Sequence, residues 1–112
     1  MHGGKNSAIT KVPQNETSYG HRDKIWKMEF YDGAGQGPYP ADGLNFLNGW
    51  VDKISAAQGQ GQLGMYYNYA DPTLSAANAH KAYWGSNYDQ LVAVKNIYDP
   101  KKVFMNPQAV GA

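Results

Sequence analysis

The sequence predicts an α+β fold, in which helices pack on one face of a small antiparallel sheet and an extended C-terminal tail follows. Two stretches, residues 25–31 and 63–69, are rich in apolar and aromatic strand formers, and the first alternates with the period of a strand. Three others, residues 40–57, 74–84 and 88–98, carry apolar side chains at helical spacing. The order strand, helix, strand, helix, helix favours helices gathered on one side of the sheet.

The chain is predicted to begin with a polar loop or arm over residues 1–18, which shows no clear period. The first strand follows at residues 25–31, with Trp26, Met28 and Phe30 on one face and Lys27, Glu29 and Tyr31 on the other. Residues 32–38 are rich in Gly and end in Pro, so they are expected to form a flexible connection. They lack the Gly-Lys-Ser/Thr ending of a phosphate-binding loop.

The first helix is predicted from about Pro40 to Ala57. Asp42 lies near its start, where acidic charge is favourable. Its apolar stripe consists of Leu44, Leu47, Trp50, Val51 and Ile54. The Gly- and Gln-rich residues 57–62 are expected to end it.

The second strand is predicted at residues 63–69 and is closed by Asp71-Pro72. A weaker helix follows over residues 74–84. Asn87 is a suitable N-cap for a third helix, which should stop before Asp99-Pro100 because proline cannot continue it. The remaining residues, 103–112, are predicted to be an extended tail.

Composition limits the functions open to this chain. It has 112 residues, a formal net charge of +1 and no cysteine, which predicts one domain without disulfides, thiolate chemistry or a nucleic-acid-binding face. No apolar run is long enough for a membrane span, and no signal peptide is expected at the N-terminus. The three histidines have no metal-ligand spacing, so no metal site is predicted.

The sharpest local signal is Tyr66-Tyr67-Asn68-Tyr69. On a strand, Tyr66 and Asn68 would face one side, and Tyr67 and Tyr69 the other. Such a strand could hold a planar ring on one side and a substrate on the other. The competing interpretation is that tyrosines here only pack a sheet, because Tyr is a good strand former.

Five blocks of sequence, in this order and spacing, resemble the C-terminal segment of the berberine-bridge-enzyme-like FAD-linked oxidases. They are residues 65–71, residues 83–88, Tyr98-Asp99-Pro100, Val103-Phe104 and Pro107-Gln108. The resemblance implies that residues 19–112 form the C-terminal domain of this family, behind the arm of residues 1–18. The family's large FAD-binding N-terminal domain is absent from the sequence, so this chain alone is not expected to hold FAD.

The resemblance also implies roles for individual residues. Tyr66 and Asn68 would contact the flavin, and Tyr69 would be the base that takes a proton from a substrate hydroxyl. A tyrosine base needs a nearby cation or buried hydrogen bonds, because the phenol ordinarily has a pKa of about 10. Glu29 is the candidate for the family's catalytic carboxylate. His21-Arg22 stands where family members carry Pro-His-Arg, and counting forward from it without gaps places Met28, not Glu29, at the carboxylate position. Glu29 could instead form a solvated ion pair with Lys27.

Three functions follow as expectations. The first is the C-terminal portion of an FAD-linked oxidase that acts on a sugar, phenolic or secondary-metabolite substrate, with a flavin-binding domain or subunit as partner. The second is a free-standing, non-catalytic protein that binds a partner or ligand through its Tyr-rich face. The third is a cofactor-free catalyst. The family, together with the glycosylation sequon Asn15-Glu16-Thr17, favours a secreted protein or one in the secretory pathway.

Overall fold

The computed structural model describes residues 2–59 and 63–112. Three α-helices lie in these ranges, and we name them α1 (Gly43–Gln58), α2 (Ala76–Trp84) and α3 (Tyr88–Tyr98). Three short 3₁₀ helices accompany them, at Ile9–Lys11, Tyr67–Tyr69 and Gly85–Asn87. The chain divides into a larger unit, residues 1–26 with 64–112, and a smaller unit, residues 27–63. In the described ranges, no helix is both long and apolar enough to cross a membrane.

The predicted antiparallel sheet is wrong, because the described residues contain no β-strand. Residues 26–34 have no regular structure and are exposed. Their apolar and polar side chains alternate as in a strand, but the described residues offer no neighbouring strand to pair with their backbone N–H and C=O groups. In the second candidate strand, the Tyr69 N–H donates to the Tyr66 carbonyl oxygen at 2.9 Å and closes a 3₁₀ turn. Local hydrogen bonding therefore replaces the strand that the tyrosines suggest.

The predicted extended tail is also wrong. The Ala109 N–H donates to the Asn106 carbonyl oxygen, and the Ala112 N–H donates to that of Ala109, so the chain turns twice. Gln108 and Ala109 are buried. The tail therefore folds back on the larger unit and contributes to its interior.

Helix α1 belongs to the smaller unit and begins three residues later than predicted. The Tyr39 ring covers Gly43 so closely that a side chain there would overlap it, which makes glycine the residue that fits. Leu44, Trp50 and Val51 of the predicted apolar stripe are exposed. Residues 60–62, part of the stretch predicted to end this helix, lie outside the described residues.

The interior of the larger unit is built around α2. Ser75 caps this helix, and its hydroxyl accepts a hydrogen bond from the Asn78 N–H. Ala79, Tyr83 and Trp84 form the buried core. Partly buried apolar side chains surround that core: Met65, Leu74, Ala82, Tyr88, Leu91 and Val110.

Asn87 stands at the start of α3 as predicted, but its side chain does not cap the helix. Instead, its Nδ2 donates to the carbonyl oxygens of Gln14 at 2.8 Å and Thr17 at 3.1 Å. Asn87 is buried, so these hydrogen bonds satisfy its amide donor where water has little access. The residue predicted as a cap therefore fastens the N-terminal arm to the helices.

Helix α3 ends at Tyr98, before Asp99-Pro100, as the sequence predicts. The Asp99 carboxylate then organises the loop that follows. It accepts hydrogen bonds from Lys95 Nζ at 2.6 Å, the Val103 N–H at 2.7 Å and the Phe104 N–H at 3.1 Å. Three donors converge on one carboxylate, which makes this loop dependent on the charge of Asp99.

We expect this loop to loosen in acid. The hydrogen bond from Lys95, supported by those from Val103 and Phe104, holds the pKa of Asp99 below its usual value. A lowered folded-state pKa stabilises the fold above the ordinary aspartate pKa of about 3.9, and that contribution is lost as pH falls through the folded value. Urea midpoints measured from pH 6 to pH 2 should fall less steeply for Asp99→Asn than for the unmodified chain. Equal slopes would show that Asp99 does not carry this dependence.

Candidate functional site

The tyrosine turn, residues Tyr66–Tyr69, brings together three of the four site residues predicted from sequence. In a 3₁₀ helix, side chains three residues apart lie on the same side. The rings of Tyr66 and Tyr69 accordingly lie with their centroids 5.7 Å apart and tilted by 58°. Asn68 Nδ2 donates to the Tyr66 hydroxyl at 2.8 Å. The prediction that Tyr66 and Tyr69 face opposite sides is wrong, because it assumed a strand.

Tyr67 packs on the core of the larger unit and stays 38% exposed. Its ring centroid lies 5.7 Å from that of Tyr83 and 5.1 Å from that of Trp84. The turn therefore has an inner side, anchored by Tyr67, and an outer side that presents Tyr66, Asn68 and Tyr69. Tyr69 is the most exposed of the ring pair, at 56%. An aromatic pair with an adjacent amide can contact a planar ring or a sugar.

Tyr19 extends this aromatic surface from the N-terminal arm. Its ring lies 6.3 Å from that of Tyr66, and its hydroxyl shares a 2.8 Å hydrogen bond with His2 Nε2. Burial raises the pKa of the Tyr19 phenol, and the Arg22 guanidinium, 5.9 Å from the ring centroid, partly offsets that rise. Sequence reasoning missed Tyr19 and His2, because neither stands in a recognisable motif.

Helix α2 holds the segment that carries the turn. The Met65 N–H donates to the Ala82 carbonyl oxygen at 2.8 Å, which fixes the start of the segment. The Asp71 N–H donates to the Tyr83 hydroxyl at 2.9 Å, which fixes its end. His21 Nε2 hydrogen-bonds the Tyr83 carbonyl oxygen at 2.9 Å, which ties the N-terminal part of the chain to the same residue.

Gly64 lies directly under the His21 ring, and this contact gives a test of the support. A methyl group at position 64 would overlap that ring, so we expect Gly64→Ala to displace His21 and break its hydrogen bond to Tyr83. Such steric changes typically destabilise by about 1–3 kcal/mol. Urea denaturation followed by circular dichroism measures the loss. The control is Gly35→Ala, since the space around Gly35 is open. Equal midpoints for the two variants would contradict the prediction.

The fourth predicted site residue, Glu29, belongs to the smaller unit, whereas the tyrosine turn belongs to the larger one. Glu29 is exposed in a segment without regular structure. Its assignment as the catalytic carboxylate, and the choice between Glu29 and Met28, stay predictions. Over residues 2–59 and 63–112, no group of three His, Cys, Asp or Glu side chains could hold a metal ion.

Several known proteins with similar sequences are oxidases. Residues 65–111 match the family model described as berberine and berberine like. The chain is 45% identical to the carbohydrate oxidase of Microdochium nivale over 98% of this chain and 22% of that protein. It is 44% identical to the xylooligosaccharide oxidase of Thermothelomyces thermophilus, again over 98% of this chain and 22% of that protein. The chain thus spans less than a quarter of these relatives' length.

Solved structures of such oxidases also match this chain. A crystal structure of the Microdochium nivale carbohydrate oxidase with a substrate analogue matches 97% of this chain and 23% of its own, with a TM-score of 0.79 and 42% identity. A glucooligosaccharide oxidase from Acremonium strictum matches 97% of this chain and 24% of its own, with a TM-score of 0.76 and 41% identity. The fold described above is therefore shared with one part of much larger proteins.

These relatives imply FAD, and the tyrosine turn suits one part of that cofactor. Its outer side offers aromatic rings and an amide, which can contact the edge or face of a flavin. The Acremonium strictum structure is described as carrying a 6-S-cysteinyl, 8α-N1-histidyl FAD. The present sequence has no cysteine, so a cysteinyl attachment would need a residue outside it. Residues 65–111 therefore carry the berberine and berberine-like segment of the berberine-bridge-enzyme-like family, and nearly the whole chain is similar to one part of larger FAD-linked oxidases.

Proposed function

We propose that this chain is the C-terminal part of an FAD-linked oxidase that acts on an oligosaccharide, and that the tyrosine turn lines its reaction site. The observation that carries the proposal is the outer side of the turn, where Tyr66, Asn68 and Tyr69 lie together. The names of the relatives support a sugar substrate, since four at 43–45% identity are carbohydrate, glucooligosaccharide, xylooligosaccharide and chitooligosaccharide oxidases.

The residues of the turn have separate tasks in this proposal. The chemistry that a bound FAD would supply is acceptance of a hydride from the substrate carbon and transfer of the electrons to O₂. Tyr66 and Asn68 contact the flavin, and their mutual hydrogen bond keeps both side chains in one arrangement. The phenolic oxygen of Tyr69 takes the proton from the sugar hydroxyl. Glu29 is the candidate for a second catalytic group.

A partner that supplies the FAD-binding domain is part of the proposal. Large apolar side chains are exposed on α1, among them Leu44, Phe46 and Trp50. Others are exposed at the end of α3 and beyond it: Ile97, Tyr98, Val103 and Phe104. Exposed apolar patches mark interaction sites, and the relatives contain more than three quarters of their length outside the matched region.

A segment graft tests the proposed function. The 112 residues would replace the matching segment of the Microdochium nivale carbohydrate oxidase, and we call the product the grafted oxidase. We expect it to bind FAD and to consume O₂ when oligosaccharide is added. The unmodified oxidase is the positive control. A grafted oxidase that retains its flavin and fold but does not oxidise sugars would contradict the proposal.

One observation favours the second function, a free-standing binding protein. The larger unit has a core of its own around Tyr83, which is only 2% exposed. The intact mass of the native protein distinguishes the two functions. A mass several-fold above that of 112 residues supports the oxidase, and a mass equal to it supports a free-standing protein.

A further inference from the structure

Gln108 belongs to the last block of the family resemblance, for which the sequence offers no local role, and the structure shows it buried in the larger unit. Its Nε2 donates to the Asp71 carbonyl oxygen at 2.7 Å and to the Leu74 carbonyl oxygen at 2.9 Å. Its Oε1 accepts a hydrogen bond from the Tyr83 hydroxyl at 2.9 Å. All of these bonds lie in or beside the core.

The directions of these hydrogen bonds are fixed by chemistry. Two carbonyl oxygens can only accept, so the amide nitrogen of Gln108 must face them and its oxygen must face Tyr83. The Tyr83 hydroxyl then donates to Gln108, which leaves its lone pairs to accept the bond from the Asp71 N–H. The three residues form one relay, which we call the Gln108 brace, and each member depends on the other two.

The brace closes around the end of the tyrosine turn. Asp71, two residues after Tyr69, is held by both its N–H and its carbonyl oxygen. Its side chain accepts two further bonds, from the N–H and the hydroxyl of Thr73, so the backbone bends sharply here. The other end of the segment is held separately, by the bond from the Met65 N–H to Ala82.

We propose that Gln108 and Tyr83 are positioning residues that fix the end of the tyrosine turn and thereby set the place of Tyr69 in the reaction site. None of the hydrogen bonds of the brace is made to Tyr66, Asn68 or Tyr69, the residues of the outer side. They act through Asp71, and a shift of about 1 Å in a reacting group can cost about a hundredfold in rate. The catalytic part of this inference rests on the proposed function.

The first experiment uses the 112-residue chain and does not depend on the oxidase function. Amide hydrogen exchange is measured by NMR for Tyr83→Phe, which removes only the hydroxyl, and for Gln108→Leu. We expect the Asp71 amide to exchange roughly tenfold faster in either variant, as for one lost buried hydrogen bond, while the Met65 amide keeps its protection. The double variant should exchange no faster than the worse single one, because both changes break the same relay.

Lys102→Met is the matched control. Lys102 Nζ donates to the Gly111 carbonyl oxygen at 2.9 Å, so this substitution also removes a side-chain bond to the C-terminal tail but leaves the brace intact. An unchanged Asp71 amide in Tyr83→Phe would overturn the brace, whatever the function. Equal acceleration at Asp71 and Met65 would show general loosening and would overturn the positioning role as well.

The second experiment uses the grafted oxidase. Tyr83→Phe and Gln108→Leu should lower kcat per bound flavin by roughly tenfold or more, with KM within about twofold of the parent value because the outer side of the turn keeps its residues. Lys102→Met should leave both constants unchanged. An unchanged kcat in the brace variants, while Tyr69→Phe is impaired, would overturn the positioning role alone. If Tyr69→Phe is also fully active, the proposed base fails, and the amide exchange still decides the brace.

Discussion

Tyr69→Phe in the grafted oxidase is expected to lower kcat by about 10²–10⁴-fold, the usual contribution of a positioned acid or base. The substitution removes one oxygen and keeps the ring that lies 5.7 Å from Tyr66. Flavin content and thermal stability should therefore be unchanged. Sugar-dependent O₂ consumption, normalised to bound flavin, measures the effect.

Tyr98→Phe is the matched control for that experiment. Tyr98 ends α3, outside the tyrosine turn, and Tyr98→Phe keeps the exposed ring that is proposed to face the partner, so turnover should not change. Full activity of Tyr69→Phe would exclude Tyr69 as the base. Glu29, the other candidate catalytic residue, would then be substituted next. A loss of flavin would instead assign Tyr69 to cofactor binding.

The sequence predicted the helices well and the sheet wrongly, and the reason is physical. The apolar stripes of α1 and α3, and Pro100 after α3, are local signals, and helices form from local hydrogen bonds. A strand needs a partner that the pattern cannot identify. At Tyr66–Tyr69, a bond between residues three apart is available within the segment itself, and the described chain uses it.

Sequence reasoning named three neighbouring candidate site residues but did not predict how they are arranged. Tyr66, Asn68 and Tyr69 came from a motif, and the 3₁₀ geometry then placed both rings on one side. Tyr19, Tyr83 and Gln108 reach the turn from distant parts of the sequence, so spacing alone could not group them. Only the folded chain shows that Gln108, a C-terminal mark of the family, reaches back 37 residues to Asp71.

Trp84→Ala is expected to be the most destabilising single substitution in the larger unit. Trp84 is 7% exposed, and its ring lies against those of Tyr67, His80, Tyr83 and Tyr88. Truncating a buried tryptophan typically costs about 3–5 kcal/mol, a large share of the roughly 5–15 kcal/mol that stabilises a native protein. Urea denaturation of the 112-residue chain, followed by far-ultraviolet circular dichroism, should show a much lower midpoint or no cooperative transition.

Trp50→Ala makes the same chemical change on a helix surface and is the control. Trp50 is 52% exposed on α1, so in the 112-residue chain its truncation should cost less than about 1 kcal/mol. In the grafted oxidase we expect the cost of Trp50→Ala to rise, because the proposed FAD-binding partner would cover the exposed face of α1. An equally small cost in both proteins would contradict a partner at α1, while the effect of Trp84→Ala would still test the core of the larger unit.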